Sequence, residues 1–177
     1  MVYGIHLMVQ NHQFVGTGFL FLILATVLGW LALNVFGFFQ NSRMRGDLSL
    51  LLDADAILPQ ERLFVGFSSP RYTGLLDAHE DVGFLCFGAN ELRFVSETRT
   101  VEILKSQIQG VAFRPSVHTL VGLGRWISID GLKQGTPIRM LVEPRERKTM
   151  LGNLLLSHVV RDRIEAWSRS GVPFSTM

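Results

Sequence analysis

The sequence has few of the residue patterns that assign a chemistry to a chain. Cys86 is the only cysteine among 177 residues, so no internal disulfide can form, and its apolar neighbours Leu85 and Phe87 predict a buried, inert thiol. The formal net charge is +2, and no block of lysine and arginine marks a nucleic-acid-binding arm. The glycine-rich residues 122–126 lack the Gly-Lys-Ser/Thr ending of a phosphate-binding loop. A disulfide scaffold is therefore excluded, and we predict no nucleic-acid partner.

Groups for catalysis or metal binding are equally few. Ser157 and His158 are adjacent but have no matching third group, so the sequence predicts no catalytic triad. One acidic loop carries side chains that ligate divalent cations elsewhere. Side chains so close together in a tight loop do not converge easily on one ion, which favours a solvated hairpin loop. The loop residues are Asp77, His79, Glu80 and Asp81. We predict no enzymatic activity, no cofactor and no metal site.

One long stretch, residues 14–39, contains no charged residue. As a helix it would extend about 39 Å, enough to cross the roughly 30 Å hydrocarbon core of a bilayer. The preceding residues 1–13 contain no lysine or arginine, unlike the basic start of a cleaved signal peptide. A buried core helix seldom has this length without a charge. The stretch is therefore predicted to be an uncleaved transmembrane helix.

The flanks of this stretch predict its orientation. Arg43 and Arg45 follow it, and no basic residue precedes it. Basic residues favour the cytoplasmic side, so we predict a single-pass protein of the inner (plasma) membrane with residues 1–13 outside. The absence of ionisable groups inside the stretch argues against an ion path or a pigment site. Ala25 and Gly29 form one small-xxx-small step and are candidates for packing against another membrane helix.

The rest of the chain has the pattern of a mainly β domain. Residues 40–58 are predicted to be a linker, with a short helix over 48–54 capped by Asp47. From residue 63 apolar residues recur with a period of two, and residues 82–87 are apolar on both faces, as in a central strand. Asp130-Gly131 and Gln134-Gly135 are predicted to bracket a turn. The predicted strands are 63–67, 82–87, 92–95, 100–104, 108–113, 125–130 and 137–143, with 72–76 as a further candidate. About seven short strands at hairpin spacing indicate an antiparallel barrel or sandwich.

A single long helix is predicted over residues 146–168, followed by a tail over 170–177. It carries two neighbouring apolar stripes. One stripe consists of Leu151, Leu155 and Val159, and the other of Leu156, Val160, Ile164 and Trp167. A helix that closes one mouth of a small barrel has such a wide apolar surface.

Several short patterns in residues 59–167 resemble the GRAM-type and bacterial PH-like domains. They are Leu58-Pro59-Gln60-Glu61-Arg62, Gly74-Leu75-Leu76, Leu92-Arg93-Phe94, and the isoleucines Ile103 and Ile108. The resemblance implies a PH-like domain over 59–169, with seven antiparallel strands closed by a C-terminal helix. It also implies a binding or scaffolding module. Members that bind phosphoinositides carry basic residues around the first hairpin loop, where residues 77–81 are acidic here, so lipid headgroup binding is not carried over.

Two features are candidates for partner binding. Arg145, Arg147 and Lys148 form the densest basic patch and either attract anionic lipid or are solvated at a helix start. Alternation places Trp126 on the face opposite Ile127, where it is either an exposed interface anchor or packed beneath the C-terminal helix.

The leading functional hypothesis is a non-catalytic single-pass membrane protein. Its PH-like domain would bind a partner protein as an accessory or assembly subunit of a larger membrane complex, with a respiratory or photosynthetic complex as an example. The alternative is a membrane-surface sensor that binds anionic lipid or a small ligand.

Overall fold

The computed structural model describes residues 2–10, 16–54, 62–70, 72, 79–115, 119, 122 and 124–170. The helices with described bounds are α1 (Val2–Gln10), α2 (Thr17–Ala54) and α3 (Met150–Arg169). The strands are β1 (Arg62–Ser68), β2 (Asp81–Phe87), β3 (Glu91–Val95), β4 (Thr100–Leu104), β5 (Ile108–Arg114), β6 (Trp126–Lys133) and β7 (Thr136–Pro144). A 3₁₀ turn, Lys105–Gln107, joins β4 to β5.

In the described part, the strands form one antiparallel sheet of seven strands in the order β4-β3-β2-β1-β7-β6-β5. The mainly β prediction is confirmed. The turn is shorter than predicted, because β6 continues through Asp130 and Gly131 to Lys133, and Gln134 and Gly135 form it with positive φ angles of 51° and 80°. That conformation is the one that suits the twist of a two-residue hairpin. The predicted strand at 72–76 and the helical start after residue 59 lie largely outside the described residues.

The inner face of the sheet surrounds the main hydrophobic core. Strands at both ends of the sheet order contribute to it, because Ile103 of β4 and Phe113 of β5 belong to the same cluster. A methyl group placed on Gly131 of β6 would lie 2.9 Å from the Cδ1 of Ile103. The sheet is therefore strongly curled, and its core is shared by all seven strands in the described part.

Helix α3 covers this core with one of its two apolar stripes. Val160 and Ile164 are fully buried there, and Leu156 and Trp167 pack beside them. The Trp167 indole N–H also donates a hydrogen bond to the carbonyl of Gly88, at 3.0 Å. The second predicted stripe of α3 remains exposed.

The outer face of β1 and β2 has a core of its own. Leu52 of α2 packs there with Phe64, Phe84, Cys86 and Val95, all buried. β2 is thus covered on both faces, which confirms the prediction of a central two-sided strand. Burial raises the pKa of the Cys86 thiol to about 11, so the thiol is protonated and unreactive at neutral pH.

The structure differs from the predicted linker at residues 40–46. This segment is helical and belongs to α2, which runs without a break from Thr17 to Ala54. The segment contains no proline, and its single Gly46 costs only about 1 kcal/mol relative to alanine. Arg43 and Asp47 form an i,i+4 ion pair at 3.8 Å inside the helix, so Asp47 does not cap a new one. The predicted N-terminal tail also contains a helix, α1, whose Tyr3 ring contacts the Phe21 ring at 5.8 Å.

The two valines at positions 159 and 160 provide a matched test of the packing of α3. Val160 is 2% exposed and Val159 is 62% exposed, so Val160→Ala removes buried methyl groups and Val159→Ala does not. We expect Val160→Ala to lower the free energy of unfolding by about 2 kcal/mol relative to Val159→Ala. Thermal unfolding in mild detergent, followed by tryptophan fluorescence, measures the difference. Equal midpoints would contradict this assignment of the buried face.

Candidate functional site

A joint between α2 and the β domain is built around Asn34. The described apolar part of α2, Thr17–Asn34, is the one described segment long and apolar enough to be a candidate membrane span. Asn34 ends this part and is 5% exposed. Its Oδ1 accepts a hydrogen bond from the backbone N–H of Leu151 at 2.9 Å. The first N–H groups of a helix have no acceptor within that helix, so Asn34 satisfies one for α3.

A second set of contacts continues the joint farther along α2. The Arg45 guanidinium contacts the Glu146 carboxylate at 2.5 Å, and the other oxygen of that carboxylate accepts the N–H of Phe64 at 2.6 Å. Arg62 of β1 donates a hydrogen bond to the hydroxyl of Ser49 at 2.9 Å. Glu146 therefore ties α2 to the first strand and to the segment that leads into α3.

The predicted basic patch lies in that same segment. Arg147 and Lys148 are exposed, whereas Arg145 is half-buried and donates its backbone N–H to the carbonyl of Phe64 at 2.9 Å. The backbone of Arg147 is held at both ends by the buried Asn153 side chain, which accepts its N–H at 2.6 Å and donates to its carbonyl at 3.1 Å. The cationic side chains are thus attached to a fixed backbone beside the joint.

Trp126 lies on the outer face, as alternation predicted, but it is only 7% exposed. Its ring packs against the imidazole of His79, with the ring centroids 5.0 Å apart. The indole is therefore covered by the segment that precedes β2 and does not present an open anchor. It is also absent from the inner core that α3 covers.

His79 and Glu143 form a buried polar pair next to this tryptophan. Their Nε2 and Oε2 atoms are 2.7 Å apart, and the two side chains are 8% and 7% exposed. The β1–β7 register places Gly66 opposite Glu143, and a methyl group at Gly66 would overlap the imidazole. A methyl group at Gly124 would likewise overlap the carboxylate. Two glycines thus provide the space for the pair, which satisfies two polar groups that would be costly to bury alone.

The described residues of the acidic loop have separate partners. Glu80 accepts hydrogen bonds from Arg99 at 2.6 Å and from the backbone N–H of Ser69 at 3.0 Å, whereas Asp81 accepts one from Ser96 at 2.6 Å. His79 is paired with Glu143, as above. Asp77 lies outside the described residues, and the described part holds no cluster of three or more His, Cys, Asp or Glu suited to a metal ion. The hydrogen bonds from Arg99 and Ser69 hold the pKa of Glu80 below its ordinary value.

The small-residue step in α2 is open at Gly29, although α1 packs against α2 nearer its start. Gly29 is exposed, and a methyl group there would have no atom within 4 Å. Ala25 is half-buried. Packing of this step against another membrane helix stays a prediction.

A cleft of about 300 Å³ opens between β4 and the β6–β7 hairpin. Its apolar wall is formed by Ile103, Ile138 and Met140, and its rim carries charged side chains. The cleft is at the lower end of the volume that small-molecule sites occupy. Arg139 on the rim is paired with Asp130, so this cation is already neutralised.

Two functional features escaped the sequence predictions. Asn34 had a visible signal, because it is a carboxamide in an otherwise apolar stretch. The pairing of His79 with Glu143 had no such signal, because it depends on the register of β1 against β7.

No protein-family model, curated protein or solved structure matches this chain.

The glycines around the buried pair lead to a first prediction for this site. We expect Gly66→Ala to lower the free energy of unfolding by about 1–3 kcal/mol, the cost of overpacking a filled site. Gly110→Ala on β5, where nothing lies within 4 Å, is the matched control and should have little effect. In a His79→Ala background most of the Gly66→Ala cost should disappear. A cost that persists there would show that the imidazole is not the obstacle.

Glu80 leads to a prediction about acid stability. Its pKa is lowered by folding from about 4.5, so its contribution is complete above that pH and is lost as the pH falls through the folded-state value. Wild type should exceed Glu80→Gln in stability by less than about 1 kcal/mol at neutral pH, because water screens the pair. The gap should close in acid. Glu97→Gln, on an exposed turn, is the matched control for the loss of a surface carboxylate.

Proposed function

We propose that this chain is a non-catalytic, single-pass membrane protein whose cytoplasmic PH-like domain binds a partner protein. It would serve as an accessory or assembly subunit of a larger membrane complex. The observation that carries the proposal is the continuity of α2, which extends from the candidate span into the domain and is clamped there by Asn34, Arg45 and Ser49.

The burial pattern of α2 supports its place in a bilayer. Only 11% of the window Thr17–Asn34 is buried within the chain, whereas the core helix of a soluble domain would be mostly covered. Its exposed leucines and phenylalanines lie around most of the helix circumference. A helix that is apolar all round requires an apolar environment, which a bilayer provides. Arg43 and Arg45 beyond it favour a cytoplasmic domain.

The order of elements supports the PH-like assignment. In the described part, the sheet consists of seven antiparallel strands in the order β4-β3-β2-β1-β7-β6-β5, so the first and last strands in sequence are neighbours. The C-terminal helix covers the inner core. This is the arrangement that the sequence resemblance implies. Domains of that type are generally binding modules.

The clamp favours a fixed subunit over a mobile tether. A flexible linker would let the domain sample many positions, whereas the joint holds it at one height and one orientation to the membrane. A pre-oriented surface loses less conformational freedom when it binds a partner that is itself fixed in the membrane.

Native gel electrophoresis of mildly solubilised membranes tests the proposal, with mass spectrometry of the band that contains this chain. We expect migration with a larger complex, whose other members would identify the process. Migration near 20 kDa plus detergent would contradict the accessory-subunit proposal.

Loss of the clamp should weaken this association. Asn34→Leu removes the acceptor of the Leu151 N–H, and we expect a smaller share of the chain to migrate with the complex. Thr26→Val is the matched control, because the Thr26 hydroxyl bonds only to Leu22 within α2. The proposal predicts that both variants remain in the membrane fraction. An equal share in the complex for both would count against a role for the clamp.

A further inference from the structure

Helix α3 carries an exposed apolar stripe beside the joint with α2. Leu151, Leu155 and Val159 recur every four residues, so they lie on one face of the helix. Their exposed fractions are 40%, 65% and 62%. The stripe begins at Leu151, whose N–H is bonded to Asn34 at the end of the candidate span.

We infer that this stripe docks α3 onto the cytoplasmic surface of the same bilayer that α2 crosses, at the boundary between acyl chains and anionic headgroups. The inference rests on the proposed membrane span. It goes beyond that proposal because it assigns a second membrane contact, made by the folded domain itself.

The position of Asn34 sets the height of the stripe. The uncharged stretch 14–39 continues for five residues past Asn34, about 8 Å of helix, so Asn34 lies within the cytoplasmic end of the predicted span. Leu151, which is bonded to Asn34, therefore lies at or just inside the cytoplasmic edge of the hydrocarbon core. Leu155 is one turn farther along α3, at most about 6 Å away whatever the tilt of α3. The headgroup layer adds about 5–7 Å on each side, so Leu155 also falls within the membrane.

Cationic side chains lie beside the stripe, on α3 and just before β6. The Arg125 guanidinium is 2.7 Å from the Nε2 of His158, and Arg125 and Arg161 both lie over the ring of Phe113, at 4.9 and 4.8 Å. Arg161 also contacts Asp162 at 2.5 Å, which offsets part of its charge. An apolar stripe edged by basic groups is the pattern of helices that lie in a membrane interface. Basic residues are attracted to an anionic lipid surface.

The same charges oppose the binding of a second copy of the chain to this stripe. A symmetric dimer through this stripe would bring Arg125 of one copy close to Arg125 of the other. Like charges at an interface oppose association. An anionic lipid surface has the opposite charge and meets the stripe without this cost.

Fluorescent labelling of the full chain in nanodiscs that hold one copy each tests the inference. Leu155→Cys, Leu28→Cys and Glu97→Cys would carry an environment-sensitive dye, in discs with and without anionic lipid. Position 28 lies in the candidate span. Exposed Glu97 is close in sequence to Val95, which packs with Leu52 far along α2, so position 97 is expected to lie away from the membrane. The buried Cys86 thiol, with its raised pKa, should not react, and the wild-type chain serves as the blank.

We expect the dye at position 155 to shift to the blue and to be quenched by lipids that carry a spin label near the headgroup. Quenching should be stronger with anionic lipid and absent at position 97. Quenching at 28 but not at 155 would overturn the inference and leave the span intact. A blue shift at 155 without quenching would mean packing against protein, which also overturns it. No quenching at 28 would instead contradict the proposed span.

Discussion

The hydrogen bond from the Leu151 N–H to the Asn34 side chain is the contact on which the arrangement of this molecule depends. An amide in an apolar helix is costly without a partner, and the first N–H groups of a helix have no acceptor within that helix. Each group removes the cost of the other, and the bond fixes α3 against α2. The contacts of Arg45 and Ser49 fix the rotation of the domain about α2.

The β domain is unusual in having two covered faces around its first strands. The inner face packs on α3, and the outer face packs on Leu52 of α2 and encloses the pair of His79 and Glu143. Part of the domain core is therefore supplied by the helix that carries the candidate span. Removal of α2 would expose Phe64 and Phe84, so α2 and the β domain form one structural unit.

Local patterns in the sequence predicted most helices and strands well, but they did not predict how these elements pack against one another. The period of two located the strands from β1 to β7, and turn residues located the hairpin at Gln134, because these signals act over a few residues. Both stripes of α3 were visible, but only the assembled sheet decides that Val160 is buried and Leu155 exposed. The helical state of residues 40–46 was missed because contacts with the domain, distant in sequence, support it. The sequence placed Trp126 on the correct face of the sheet. It did not predict that His79 covers the Trp126 ring, because that contact depends on strand register.

In the proposed membrane arrangement, the unbroken α2 would transmit a tilt of the span to the β domain. Between Asn34 and Leu52 the helix rises about 27 Å, so a tilt of about 10° about the membrane edge would move the distal end by about 5 Å. Spans tilt as bilayer thickness changes, at small energetic cost. In the proposed membrane arrangement, a thicker or thinner bilayer would therefore reposition the whole β domain as a rigid body. A change in membrane thickness would thus change the position at which the domain meets its partner.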